Sequence, residues 1–249
     1  MRSAHSFVLT SLVLVSAASA ACEPFGNLDG DWTRGERGHT RWQILDGLCP
    51  GIGGGCNFDV PIAVGATVQL AVDGVDGTPV SASFTGGIEG DGGIDFAEDR
   101  DTLVPIRVVA AGAGRTEISD TNGPIDAATV FGREVTRLEC GRWRQDVDIE
   151  WRMIGLSPTT ELTLPMGSDD TFHLVCRASD AQGPLLSADA IDWTIVSGSE
   201  ALDLASTDFG TFGATANGAR IRYRTRAPGT AVVRASVGEV TEDLTITIE

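Results

Sequence analysis

The chemistry open to this chain is limited first by what it lacks. All 18 basic residues are Arg and none is Lys. That removes a Schiff-base lysine and the lysine of a phosphate-binding P-loop. Of three histidines, His5 falls in the N-terminal apolar segment, which leaves His39 and His173. Two imidazoles cannot build a three-histidine zinc site. No GxSxG, HExxH or CxxC pattern occurs. A Ser-His-Asp triad would have to use His39 or His173, and His173 alternates outward on an expected strand, as a surface residue does. Paired carboxylates can hydrolyse a glycoside, but 35 acidic residues guarantee chance pairs. The inventory points away from an enzyme, with a carboxylate-pair glycan hydrolase as the remote alternative.

Two clusters suit binding instead. Arg220, Arg222, Arg224 and Arg226 recur at every second position, while Ile221 and Tyr223 fall between them. In a strand this puts the cations on one face about 7 Å apart, a dock for an anionic glycan or a partner's carboxylates. The plainer reading is internal, because Asp146, Asp148 and Glu150 form an acidic row of the same period. The second cluster is the loop 89–101, where Asp91, Asp95, Glu98, Asp99 and Asp101 offer the oxygen ligands that calcium prefers. Its spacing departs from the EF-hand, and it holds a single approximate Gly-Gly-x-Gly-x-Asp unit, a repeat that works by stacking. A solvated turn is the plainer account, and no other cofactor is suggested. The formal net charge of -17 repels polyanions, so nucleic acid and anionic lipid surfaces are not expected partners.

The N-terminus carries an export signal over residues 1–21. Arg2 precedes the apolar run Phe7–Val15, which is too short to span a bilayer, and small residues follow at Ala18-Ser19-Ala20. The five cysteines are Cys22, Cys49, Cys56, Cys140 and Cys176. Cleavage after Ala20 leaves an odd thiol in an oxidising compartment. Ser19-Ala20-Ala21-Cys22 resembles the signal of bacterial lipoproteins, with Ser19 where that pattern prefers an aliphatic residue. The resemblance implies cleavage after Ala21, acylation of Cys22, and contact with the membrane through lipid alone. Four cysteines then remain and allow three connectivities; pairing of sequence neighbours gives Cys49–Cys56 and Cys140–Cys176.

Positioning these residues falls to strands. Residues 22–56, Gly-rich and closing in the Cys49–Cys56 loop, have a composition that buries little surface and read as a tether. From residue 58 the apolar period is two: Val68, Leu70 and Val72; Val80, Ala82 and Phe84; Phe172, Leu174 and Cys176; Ile191, Trp193 and Ile195; Leu244, Ile246 and Ile248. Further strands are expected at 102–110, 115–120 and 127–138, the last broken at Gly132. The halves also match each other. Val64-Gly65 through Leu70 parallels Met166-Gly167 through Leu174, and Ala110-Ala111-Gly112 parallels Ala227-Pro228-Gly229. Spacings of about 100 residues suit tandem seven-stranded sandwiches. The run Arg226-Ala227-Pro228-Gly229-Thr230-Ala231-Val232-Val233-Arg234-Ala235-Ser236, with Leu244–Ile248 and Ile191-Asp192-Trp193, resembles bacterial immunoglobulin-like domains (BIg2-type) of invasin- and intimin-like surface proteins and envelope lipoproteins. The resemblance implies an all-β chain of two immunoglobulin-like β-sandwiches, residues 57–139 and 140–249, with Trp193 packed between the sheets. It transfers no catalytic residue. It implies a non-enzymatic envelope or surface module that contacts a protein or a glycan, with a structural spacer as the alternative.

Overall fold

A computed structural model describes residues 32–45, 55–56, 58–75, 80–90, 95–96, 102–143, 159–166, 172–187, 190–205 and 220–249. Among these residues there is no helix. Eleven strands come before residue 134: β1 Thr33–Arg34, β2 Arg41–Leu45, β3 Gly55–Cys56, β4 Ile62–Ala63, β5 Thr67–Asp73, β6 Ser81–Gly86, β7 Ile88–Glu89, β8 Asp95–Phe96, β9 Thr102–Val108, β10 Gly112–Asp120 and β11 Gly123–Arg133. Eight follow: β12 Arg137–Trp143, β13 Glu161–Leu164, β14 Phe172–Ser179, β15 Asp192–Ser197, β16 Leu202–Ala205, β17 Arg220–Thr225, β18 Gly229–Val237 and β19 Val240–Ile248.

Period-two alternation makes these segments strands and sets their faces. In β9, Thr102, Val104, Ile106 and Val108 are buried; in β18, Ala231, Val233, Ala235 and Val237 are. In each half the inward rows of two sheets meet. The first half pairs β1-β2-β5-β9-β7, with β3 on β2 and β8 on β9, against β4-β11-β10-β6. The second pairs β12-β14-β17-β16 against β13-β19-β18-β15. The two orders superimpose strand for strand: β2 on β12, β5 on β14, β9 on β17, β7 on β16, and likewise β4, β11, β10 and β6 on β13, β19, β18 and β15. In both halves one short early strand crosses to the opposite sheet and runs parallel to the last strand, β4 along β11 and β13 along β19. All other strand pairs are antiparallel. This is the immunoglobulin-like arrangement, present twice. The matched glycines keep matching roles: Gly112 opens β10 at φ 118° and Gly229 opens β18 at φ 153°, values that a side chain disfavours.

Three expectations are corrected. Residues 33–45 are part of the first sandwich and not tether, since β2 hydrogen-bonds along β5 and Trp42 and Ile44 are fully buried in its core. Composition misled because Gly and charged residues surround a five-residue strand whose two large apolar side chains suffice to hold it. The boundary expected after residue 139 falls inside β12, which already runs from Arg137 to Trp143, so the passage between sandwiches is residues 134–136. The outward positions of two strands are also covered. Ala71 of β5 and Val175 of β14 are 1% and 4% exposed beside inward neighbours equally buried, so each strand is covered on its outer face at that position.

The two cores are joined into one connected body of buried side chains. A tongue from the second half does this. Asp180 accepts from the N–H groups of Gln182 and Gly183, forming a tight turn, and the returning chain pairs Pro184 with Ser179. Leu186 then pairs with Ile62 of β4: its N–H donates to Pro61 O at 2.9 Å, and Ala63 N–H donates to Leu186 O at 2.7 Å. The second sandwich thereby extends a sheet of the first. Leu185, Leu186 and Ser187 are buried there, and Arg133 Nη1 meets Asp180 Oδ2 at 3.1 Å.

Candidate functional site

The arginine row lies on β17 and just beyond it. Ile221 and Tyr223 are buried as the alternation requires, and the Tyr223 ring meets Trp193 from the opposite sheet edge-on, with centroids 6.5 Å apart. By register Arg220 is opposite Val175; Arg222 is opposite His173 on one side and Ala205 on the other; Arg224 is opposite Asp203. Arg226 lies past the strand end, and its Nη2 takes Asp203 Oδ2 at 2.5 Å. Arg226 is therefore neutralised within the fold, by a residue of β16. Asp146, Asp148 and Glu150, the acidic row expected as partners, lie outside the described residues. Elsewhere on this sheet Arg137 and Arg177 both pair with Glu139.

Of the calcium candidates, Asp91, Glu98, Asp99 and Asp101 lie outside the described residues, and Asp95 sits in β8 opposite Leu103. Among the described residues no group of three or more His, Cys, Asp or Glu is placed to hold a metal. Cys22 and Cys49 also fall outside them; Cys56 is in β3 opposite Ile44. Cys140 and Cys176 form a disulfide. They face each other across β12 and β14, so the bond staples neighbouring strands of one sheet and does not bridge the two sheets. With its ends 36 positions apart in sequence, chain entropy alone makes it worth about 4 kcal/mol. We predict that replacing both cysteines with Ala lowers the denaturant midpoint of the second sandwich correspondingly; an unchanged midpoint would show that the staple is redundant.

The most perturbed carboxylate is one that sequence reasoning missed. Asp126 of β11 is fully buried. Its Oδ1 accepts from Arg37 N–H at 2.7 Å and from its neighbour Ala127 N–H at 2.8 Å; its Oδ2 accepts from His39 N–H, Thr40 N–H and Thr40 Oγ1 at 2.8–3.0 Å. Burial alone would raise its pKa, but the backbone donors of Arg37, Ala127, Thr40 and His39 outweigh that and hold it at about 2. The turn between β1 and β2 is thus wrapped around one anion, and a Cβ at Gly35 would collide with it. The available signal was an ionisable residue inside the apolar run Ile125–Ala128. Every donor comes from the protein itself, so the arrangement is a structural lock.

A concavity lies between the sandwiches. It measures about 900 Å³ and opens to solvent. The first sandwich contributes the β4–β5 turn and Arg107 near the end of β9; the passage adds Glu134 and Val135; the second contributes Asp192 at the start of β15 and the tight β18–β19 turn, with Gly238 and Glu239. Gly238 takes φ 56°, which lets two residues reverse the chain between Val237 and Val240. Its lining thus carries three acidic residues, Glu134, Asp192 and Glu239, and one arginine, Arg107. The tongue bearing Leu186 and the Arg133–Asp180 pair fix the walls relative to each other. Chemically the cleft can accept polar, hydrogen-bonding and preferentially cationic groups; it holds no nucleophile–base pair.

No protein-family model matches the chain, and no curated protein does. Solved structures do share some of its shape. The S-layer protein SbsC is 12% identical, over 74% of this chain and 23% of that one, at a TM-score of 0.31. The Yersinia pseudotuberculosis adhesin InvE is 11% identical, over 90% of this chain and 62% of its own, also at 0.31. SGBP-B of the Bacteroides ovatus mixed-linkage glucan utilization locus, solved with a heptasaccharide, is 12% identical over 77% and 43%, at 0.32. The chain spans less than two thirds of each of these proteins. The immunoglobulin-like assignment stands on strand order: this is a pair of immunoglobulin-like sandwiches joined edge to sheet.

Proposed function

We propose that the chain is an exported, non-enzymatic binding module of the cell envelope, tethered through acylated Cys22, and that the cleft between its sandwiches receives part of a protein or glycan partner. The observation that carries the reading is the joint. A spacer needs only a linker, whereas here backbone hydrogen bonds between Leu186 and residues 61–63 lock two sandwiches around a cleft of about 900 Å³. Fixed walls spare a ligand the cost of ordering them. The export signal and the disulfide suit an oxidising compartment outside the cytoplasm.

The test is site-specific photocrosslinking of the full chain in its own envelope. A crosslinker at Glu239, on the cleft rim, is expected to capture a defined partner. One at Asn122, in the remote β10–β11 turn, serves as the reference. Capture that is equal at the two positions, or absent at Glu239, would overturn the assignment of the cleft. Intact mass of the mature N-terminus settles the anchor separately, since an acylated Cys22 and a free N-terminal Ala21 differ plainly.

A further inference from the structure

The cleft continues into a second feature, the outer edge of β15. Asp192, which lines the cleft, is the first residue of that strand. Among the described residues β15 pairs only with β18, so it is the last strand of its sheet. Burial agrees. On β18 the inward residues Ala231, Val233 and Ala235 are fully buried, while Ile195 of β15, facing the same core, is only partly covered. Thr194 is exposed, and Val196 is 51% exposed. Alternate residues of such a strand turn backbone N–H and C=O away from their one neighbour. Proteins ordinarily blunt an open edge with Lys, Pro or an inward charge. From Trp193 to Ser197 there is none of these. The one protective device is a bulge between Ile195 and Ser197, which displaces the far end and leaves the end next to the cleft regular.

Charge selects the occupant. The cleft that Asp192 of β15 lines also carries Glu239 and Glu134, against Arg107 as its one basic lining residue, and the whole chain carries a formal charge of -17. A second copy would bring the same carboxylates to the seam, whereas a basic segment is both steered in and neutralised. We propose that an extended, Arg- or Lys-rich segment of a partner protein adds to the edge of β15 as a further strand, its basic side chains reaching the carboxylates of the cleft. Main-chain pairing then supplies register and the carboxylates supply selectivity. This rests on the cleft being the binding site and names its guest.

The experiment uses the full mature chain with two synthetic peptides of about twelve residues, one alternating Arg with Thr and Val, the other with Glu in place of Arg. Fluorescence anisotropy reads binding at low and high salt, and hydrogen exchange reads the amides of β15. Binding of the basic peptide alone is expected, weakening with salt, with slowed exchange over residues 193–196 and no change in β6, the open edge of the other sandwich. The triple variant Glu134→Gln, Asp192→Asn, Glu239→Gln is expected to bind about tenfold more weakly. Binding without slowed exchange in β15 overturns strand addition and leaves the cleft as the site. No binding of the basic peptide, while a crosslinker at Glu239 still captures a partner, overturns the basic guest and spares the proposed function. Exchange that slows with protein concentration alone identifies a second copy as occupant and overturns the inference as well.

Discussion

Asp126→Ala lowers the melting temperature of the first sandwich by about 10 °C. The carboxylate satisfies four backbone N–H groups and one hydroxyl. Without it the buried donors of Thr40 and Ala127 are left unpaired and the part-buried N–H groups of Arg37 and His39 lose their acceptor, a cost of about 3–5 kcal/mol in all, and each kcal/mol moves the midpoint of a chain this size by about 2–4 °C. The same residue fixes an acid response. Its folded pKa of about 2 lies below the ordinary 3.8, so the folded state binds the proton less readily than the unfolded chain. The associated stability, about 2 kcal/mol, is complete above pH 4 and is lost as pH falls through about 2. Asp126→Asn should remove that acid-dependent component and keep part of the hydrogen bonding. A variant as stable as the parent, with unchanged acid sensitivity, would show that the turn at residues 35–40 is held by other contacts.

Trp42→Ala is the second. The indole is fully buried, its Nε1–H donates to Thr40 Oγ1 at 2.6 Å, and its ring meets Phe58 edge-on at 6.3 Å. Removing so large a side chain from a packed core costs about 3–5 kcal/mol. Thr40 Oγ1 in turn donates to Asp126, so Trp42, Thr40 and Asp126 form one chain of contacts. The double variant should therefore lose less than the two single losses combined. Chemical denaturation with a probe confined to the first sandwich measures all three. If Trp42→Ala left the midpoint in place, residues 33–45 would be a tether after all.

What could be read from the sequence divides along a physical line. Period-two runs such as Val68–Val72 and Leu244–Ile248 gave away strands because burial on one face writes itself into alternation. The repeat was visible through Gly112 and Gly229, where the backbone takes angles that side chains resist. β2 stayed hidden because five residues, two of them large and apolar, are too few to stand out among glycines and charges. Asp126 stayed hidden because nothing in a lone Asp announces that its partners are backbone groups more than eighty residues earlier. The cleft is built from turns that meet only when the tongue docks. Its charged residues therefore have no common spacing to find. The arginine row was the reverse case: its period was plain, but that Arg226 would turn to Asp203 on β16 depends on a strand pairing which periodicity does not encode.

The tongue carrying Leu186 also bears on how the chain matures. A polypeptide synthesised from its N-terminus presents β4 and β11 well before Leu186 has emerged, and until then the Ile62 border of the first sheet lacks the cover that Leu186 gives it. The earlier sandwich thus reaches its final form only when the later one arrives, so the two should ripen together, and a chain truncated at residue 136 should be aggregation-prone in proportion to that bare border.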